Sequence, residues 1–498
     1  MKPPALRWYD LCGAPWLLVR LPVVIAALVA LVAAMSFGGY YYPDTTAYLE
    51  HTFFTGLQTG FNDRPPVYSL LLDLLLYLAP SGARMFLLVL VQQACGVAIV
   101  YMIQRIGVVS GHWLAGWFAA ALTVCTPILW MYAQGAQSEI LYVFLAVLAC
   151  LLFLRGLVER RTLPTFLGGL VCALAIGCRT PGVAIAGAVL VATWWSRETQ
   201  RVRVTLRFCA GLALGIGSLV GLNKVHYGSA TLVNGTGMHM FDRVALLERS
   251  APDTDEVRLL KVLNAANGKN KESIFHQYAG WNLYFLLKKA GYTSKQADQL
   301  LAKAAIQAMT EHPFRSVGLT LQSMRESTAS RFRILWYLFT GTLAPEEFDE
   351  FCESSIKKWG GDPEHFKRIQ SNLPPYPPQL ALGRWPIGLV REWDNLDWMW
   401  RGTWVLVAAA MACALGMVVR SAPLIVLSFV GLGQLLLVAI GEEPCSRYWD
   451  SSVAIFQATL ILSVAELGRR VHRRWRRRGS AAAPASMSGV PVGLAQQS

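Results

Sequence analysis

Pro66-Val67-Tyr68-Ser69-Leu70-Leu71-Leu72-Asp73-Leu74-Leu75-Leu76-Tyr77-Leu78-Ala79-Pro80 is an apolar, helix-forming run bracketed by prolines. At ~1.5 Å per residue it reaches only about 22 Å, whereas the hydrocarbon core of a bilayer is roughly 30 Å thick. The run is too short to cross and is expected to lie along the interface, with Val67, Leu70, Leu71, Leu74, Leu75 and Leu78 on one side and Ser69, Asp73 and Tyr77 on the other. Just upstream, Asn62-Asp63-Arg64-Pro65 opens this helix, and Tyr42-Pro43-Asp44-Thr45-Thr46-Ala47-Tyr48-Leu49-Glu50 opens a shorter one at or near Asp44, in which Leu49, Phe53 and Leu57 recur every four residues. The loop from Gly38 to Pro80 is therefore a platform of two juxtamembrane helices, with Asp44, Asp63 and Arg64 at their ends.

Composition places the rest of the chain in a membrane. Its 498 residues are 54% hydrophobic with 17 tryptophans, and the mean hydropathy is +0.39. The net charge of +14 sits in short loops between apolar runs and in the tail, which is the positive-inside bias and not a nucleic-acid footprint. The fold class is an all-α polytopic membrane protein of about ten transmembrane helices. The spans are Leu21 to Phe37, Arg84 to Arg105, Trp113 to Trp130, one ending in Arg155, two shorter runs flanking Arg179-Thr180-Pro181-Gly182, Leu206 to Leu222, Thr403 to Val419, Pro423 to Ile440 and Ser452 to Val464.

Parity supports the interfacial helix independently. An even number of crossings puts both termini and every arginine cluster, including Arg469 to Arg478, on one side. Residues 1–222 form an N-terminal membrane module whose first outer loop is 38–83. Residues 223–401, mixed in charge and containing Leu373-Pro374-Pro375-Tyr376-Pro377-Pro378, form a mostly helical extracytoplasmic domain. Residues 402–468 carry the last spans, and 469–498 are a basic, then disordered, cytoplasmic tail. The first span is expected to stay as an anchor and not be cleaved as a signal peptide. Most cysteines are small buried hydrophobes; only Cys352 and Cys445 fall outside, where pairing is chemically possible. The histidines make no metal spacing. Asn234-Gly235-Thr236 fits a glycosylation sequon, which matters only in a eukaryotic cell.

The candidate chemistry gathers on one face of the membrane: Asp44, Asp63, Arg64 and Tyr68 on the platform, Gln137, Ser138 and Glu139 in the second outer loop, Arg179 between spans five and six, and Glu442, Glu443, Arg447 and Tyr448 in the last outer loop. That side should otherwise be poor in basic residues. Guanidinium groups there match lipid-linked phosphate, which they bind in bidentate fashion.

The pattern Pro-Asp-x-Thr-x-Tyr-x-Glu from Pro43 to Glu50, followed by an acid-base-Pro step opening a second interfacial helix, resembles the first periplasmic loop of the aminoarabinose lipid A transferases and the bacterial relatives of the protein O-mannosyltransferases. Both are membrane glycosyltransferases of the C superfamily. The resemblance covers roughly residues 20 to 225 and the last spans, where Arg447-Tyr448 matches a pair common before the final helices. It implies transfer of a sugar from a polyprenyl-phosphate carrier to an acceptor hydroxyl, by single displacement with inversion, at the extracytoplasmic face of a bacterial inner membrane. Where such proteins often carry two adjacent acids this chain has Asp44-Thr45, which leaves a divalent metal possible but unsupported, and no other cofactor is implied.

Such a transfer needs a base at the acceptor oxygen and positive charge on the departing phosphate. Asp44 is the candidate base, Arg64, Arg179 and Arg447 the candidate phosphate holders, and Asp63, Glu139, Tyr68, Glu443 and Tyr448 their support. Each has a plainer reading: Asp44 as a helix N-cap, Arg64 snorkelling to headgroups, Asp63 pairing with Arg64, Glu139 as a first-turn acid on the helix dipole, Arg179 as an interface anchor, Tyr448 as a belt tyrosine. Three competing classes stand beside the transferase: a transporter or flippase, a polysaccharide polymerase or ligase using a diphosphate carrier, and a non-catalytic binder of the carrier lipid. Span interiors nearly free of charge, and no internal repeat, favour an enzyme over a transporter. The partners implied are the lipid-linked donor, an unspecified acceptor and membrane lipids.

Overall fold

The computed structural model describes residues 16–36, 38–55, 64–196, 200–233, 235–244, 279–329, 403–441 and 452–481, with short pieces at 258, 262, 349–350, 352–354, 364, 367–368 and 371–374. Among these residues the chain is helical and has no strand. One isolated parallel bridge joins Tyr40 to Gly135. In order come α1 Trp16–Ser36, α2 Pro43–Glu50, α3 Pro66–Leu78, α4 Arg84–Val109, α5 Trp113–Val124, α6 Pro127–Tyr132, α7 Glu139–Glu159, α8 Thr162–Cys178, α9 Val183–Trp195, α10 Arg201–Tyr227 and α11 Thr236–Val244. Ala279–Lys289, Ser294–Glu311, Pro313–Ala329, Thr403–Val419, Ala422–Gly441 and Val453–Ala481 follow.

Among the described residues, five helices are long and apolar enough to cross a membrane: Val19–Ser36, Ser81–Val109, Glu139–Glu159, Arg201–Tyr227 and Ala422–Ala439. Trp113–Val124, Thr162–Cys178, Thr180–Trp195 and Thr403–Val419 are apolar but shorter. The protein is thus an all-α integral membrane protein. Its largest core runs through α1 to α10, with Tyr40, Tyr48 and Tyr68 of the platform among its buried residues. α8 is sandwiched between α7 and α10. A Cβ at Gly169 would overlap the Phe208 carbonyl, and one at Gly211 the Phe166 carbonyl, so glycine is what lets α8 and α10 touch backbone to backbone.

Two expectations are corrected. The span expected from Trp113 to Trp130 is broken, because Pro127 has no N–H to continue the helix. Thr126, just before it, is extended (φ −92°, ψ 99°), and the Trp130 indole donates to the Val124 carbonyl (2.8 Å), satisfying an acceptor at the break. Second, α2 ends at Glu50, and Phe53 to Thr55 fold against α3 and do not extend the helix. The burial of α3 does not divide along its apolar and polar sides. Tyr68, Ser69, Leu72, Asp73 and Leu76 are buried, whereas Leu74, Tyr77 and Leu78 are exposed. Ser69 and Asp73 of the polar side turn inward with Tyr68, Leu72 and Leu76, while Tyr77 of the same side turns outward with Leu74 and Leu78, as leucines can where lipid is the solvent.

The C-terminus of α3 is fixed by Arg84. Its guanidinium donates to the carbonyls of Leu76 (3.0 Å), Ala79 (3.0 Å) and Asn372 (2.9 Å), placing a cation where carbonyls are otherwise orphaned. Within 223–401, α11, Ala279–Lys289 and Ser294–Glu311 share a separate apolar cluster around Phe241, Tyr284 and Leu301. Cys352 carries a free, buried thiol with Sγ 4.0 Å from the Tyr41 carbonyl oxygen; Cys445 lies outside the described residues. So do Asn234 and residues 482–498. The helix Val453–Ala481 runs unbroken from the last expected span through the arginine tail.

Candidate active site

Pro43 at the first position of α2, behind an extended Tyr42, starts the helix. Thr45 locks that start: its Oγ1 accepts from the Tyr42 backbone N–H (2.9 Å) and donates to the Ala136 carbonyl (2.8 Å). The N-cap is therefore Tyr42, and Asp44 sits inside the first turn, where the helix dipole favours a carboxylate. The bridge holds the preceding strand-like segment to the second outer loop through Tyr40 N to Gln134 O (3.3 Å) and Ala136 N to Tyr40 O (3.0 Å). Gly135 is required there because a Cβ would strike the Tyr40 ring.

Two ion pairs result. Arg64 Nη2 lies 2.7 Å from Asp44 Oδ1, with both side chains largely buried. Arg179 Nη1 lies 2.7 Å from Glu139 Oε1, at 9% and 3% side-chain exposure. The second pair joins an acid at the first position of α7 to a base just past the C-terminus of α8, each favoured by its helix dipole. Arg179 is thus no surface anchor.

Tyr48 stands between the pairs. Its phenol is 2.8 Å from Ser138 Oγ, its ring carries Arg64 Cζ at 5.6 Å from the centroid, and it packs edge-on to Tyr68 at 4.9 Å. Burial pushes its pKa up to about 12, with the charges of Arg64, Arg179, Glu139 and Asp44 all acting on it. Tyr68 Oη donates to Gln92 Oε1 (2.9 Å), and Gln92 Nε2 donates to the carbonyls of Gly135 (2.6 Å) and Ala133 (3.2 Å). α3, α4 and the second outer loop are thereby joined in one network.

The structure therefore brings Asp44, Arg64, Tyr68, Glu139 and Arg179 around Tyr48. Asp63, Glu443, Arg447 and Tyr448 lie outside the described residues. Sequence reasoning missed Gln92, whose signal is a Gln-Gln pair inside an apolar helix. It also missed Asp73, fully buried on α3, which accepts from the backbone N–H of Phe53 (2.6 Å), Phe54 (2.5 Å) and Thr55 (3.2 Å) and from Thr55 Oγ1 (2.6 Å). The third missed residue is His51, wholly buried against Phe53 and Tyr227. Burial lowers its pKa to about 4, against the opposing effect of the Arg64 backbone and the Asn223 amide.

A divalent metal fits this donor set poorly. Among the described residues no three His, Cys, Asp or Glu side chains converge. Asp44 and Glu139 are each held by an arginine, and the Thr45 hydroxyl is engaged at both of its bonds.

Residues 63–220 match the family model for dolichyl-phosphate-mannose-protein mannosyltransferase. The matched stretch is shorter than half of the chain; it contains Arg64, Tyr68, Glu139 and Arg179, and Asp44 lies upstream of it. Similar solved structures include the archaeal oligosaccharyltransferase AglB from Archaeoglobus fulgidus, in complex with an inhibitory peptide and a dolichol-phosphate, at 14% identity and a TM-score of 0.40, covering 95% of this chain and 52% of that one. The arabinosyltransferase EmbB from Mycobacterium smegmatis aligns at 12% identity and a TM-score of 0.32, covering 88% of this chain and 42% of that one. The chain thus spans about half the length of the oligosaccharyltransferase (52%). No curated protein matches it.

Proposed function

We propose that this protein is an integral-membrane glycosyltransferase that moves a sugar from a polyprenyl-phosphate carrier to an acceptor hydroxyl at the extracytoplasmic face of a bacterial inner membrane, both termini being cytoplasmic. The observation that carries the reading is the convergence of the Asp44–Arg64 and Glu139–Arg179 pairs on Tyr48, within and beside the stretch that matches the mannosyltransferase family.

In this reading the acceptor oxygen attacks the anomeric carbon as the bond from that carbon to the phosphate oxygen breaks. Asp44 takes the hydroxyl proton. The electron pair leaves with the phosphate, whose growing charge Arg64, Arg179 and Arg447 offset. A guanidinium serves two acceptors at once, so Arg64 holds Asp44 in position and still meets a phosphate oxygen. Glu139 orients Arg179, while Tyr68 and Tyr48 fix the stack beneath Arg64. Asp63, Glu443 and Tyr448 complete the support. Attack opposite the leaving phosphate inverts the anomeric centre.

Replacing Asp44 with Asn keeps the shape and removes the base. Turnover is expected to fall on the order of 10²-fold or more, while binding of polyprenyl phosphate to the purified variant stays unchanged. An Asn variant with wild-type turnover overturns the assignment; unchanged binding in a protein with no turnover at all favours the carrier-lipid binder.

A further inference from the structure

Gln137 is a buried residue whose side chain has nothing to do. It is 1% exposed, yet neither its amide nitrogen nor its amide oxygen has a hydrogen-bond partner among the described residues. Its neighbours along the chain are engaged. Ala136 just before it accepts from Thr45, Ser138 just after it meets Tyr48, and Glu139 pairs with Arg179. On α7, three residues beyond Glu139 and on the same helical face, Tyr142 is also fully buried with an unpartnered phenol oxygen, within electrostatic reach of Arg179. A buried amide left unsatisfied is costly, and a leucine of similar size would avoid that cost. Three unpartnered polar atoms on two residues that flank one ion pair call for a guest.

From this geometry we infer that Gln137 and Tyr142 form a hydroxyl-reading subsite beside the Glu139–Arg179 pair, which takes the ring hydroxyls of a neutral sugar. A primary amide supplies a donor and an acceptor, and a phenol supplies another of either kind. A hydroxyl is both donor and acceptor, so vicinal hydroxyls match this set. An ammonium-bearing sugar finds no acid for its charge among the described residues here, because Glu139 is already neutralised by Arg179. The inference rests on the transferase reading and adds the part of the substrate that these residues recognise. The sugar is brought either by the donor or by a glycan acceptor.

The test uses the full-length protein in lipid nanodiscs with Gln137→Leu and Tyr142→Phe. Three quantities are read: the unfolding temperature without substrate, the affinity for a polyprenyl-phosphate sugar beside that for sugar-free polyprenyl phosphate, and KM for the acceptor. Both variants are expected to unfold at or above the wild-type temperature, since no existing bond is lost. Affinity for the sugar-bearing carrier is expected to fall about tenfold with that for the sugar-free carrier unchanged, if the donor brings the hydroxyls. A comparable rise in acceptor KM alone assigns them to the acceptor. If neither quantity moves, the subsite is overturned, and a drop in unfolding temperature then assigns the groups to a buried water. The carrier-affinity measurement needs no turnover, so an inactive wild type contradicts the transferase reading without deciding this one.

Discussion

Glu139 and Arg179 are nearly excluded from water, and that sets what the pair is worth. An exposed ion pair contributes little, whereas removing one member of a buried pair strands a charge at a cost of about 3–5 kcal/mol. Arg179→Leu alone is therefore expected to lower stability by about 3–5 kcal/mol, and the double variant with Glu139→Gln to recover most of that loss. Additive effects in the thermal unfolding of the four proteins would show that the two side chains do not interact. His51 gives a pH signature. Its buried ring has a pKa of about 4 against an ordinary 6.5, so the unfolded chain binds more protons between these values. Its contribution is expected to lower stability as pH falls from about 6.5 to about 4. His51→Leu should flatten that part of the stability profile; an identical profile for the variant contradicts the burial of a neutral imidazole. Four of the site residues could be named from the sequence because acids and bases are conspicuous at an outer membrane edge. Which acid meets which base could not, since Asp44–Arg64 and Glu139–Arg179 are closed by tertiary contacts.

At the scale of elements, α3 is the piece whose placement the platform depends on. Asp73 gathers three backbone N–H groups and a hydroxyl of the segment Phe53 to Thr55, pinning the chain that follows α2 to α3. Asp73→Leu is expected to cost about 2–3 kcal/mol by leaving those donors buried, and to expose this segment to proteolysis before the rest of the protein unfolds. Unchanged cleavage kinetics would show that the segment is held by something else. The shortness of α3, 13 residues from Pro66 to Leu78, was legible in its bracketing prolines. Its orientation was not, because a leucine-rich face reads as core in water and as surface in lipid, and the sequence carries no label for the solvent. The broken span was legible in Pro127 and went unread because the apolar run continues through it to Trp130. Thr45 shows the opposite limit: its hydroxyl couples α2 to the second outer loop across 91 positions, a relation no local pattern contains.

Across the whole molecule, the same bundle is tied at two ends. At one, the platform, α7 and the α8–α9 turn hold the charge pairs around Tyr48. At the other, Glu466 meets His112 (3.0 Å), Arg469 and Arg470 (2.8 Å), and Arg470 reaches the Val419 carbonyl (3.1 Å), clamping the helix Val453–Ala481 to the loop after α4. Charged groups thus gather at both ends of the bundle, the arrangement expected under the proposed glycosyl transfer. The most direct measurement of that claim follows a radiolabelled sugar on a polyprenyl-monophosphate carrier, in liposomes holding the purified full-length protein and an extract of native membrane as acceptor. The label is expected to leave the carrier for an acceptor with the wild-type protein and to stay on the carrier with Asp44→Asn. Label that remains on an intact carrier while the carrier changes leaflet, in both proteins alike, would contradict glycosyl transfer and mark the protein as a flippase.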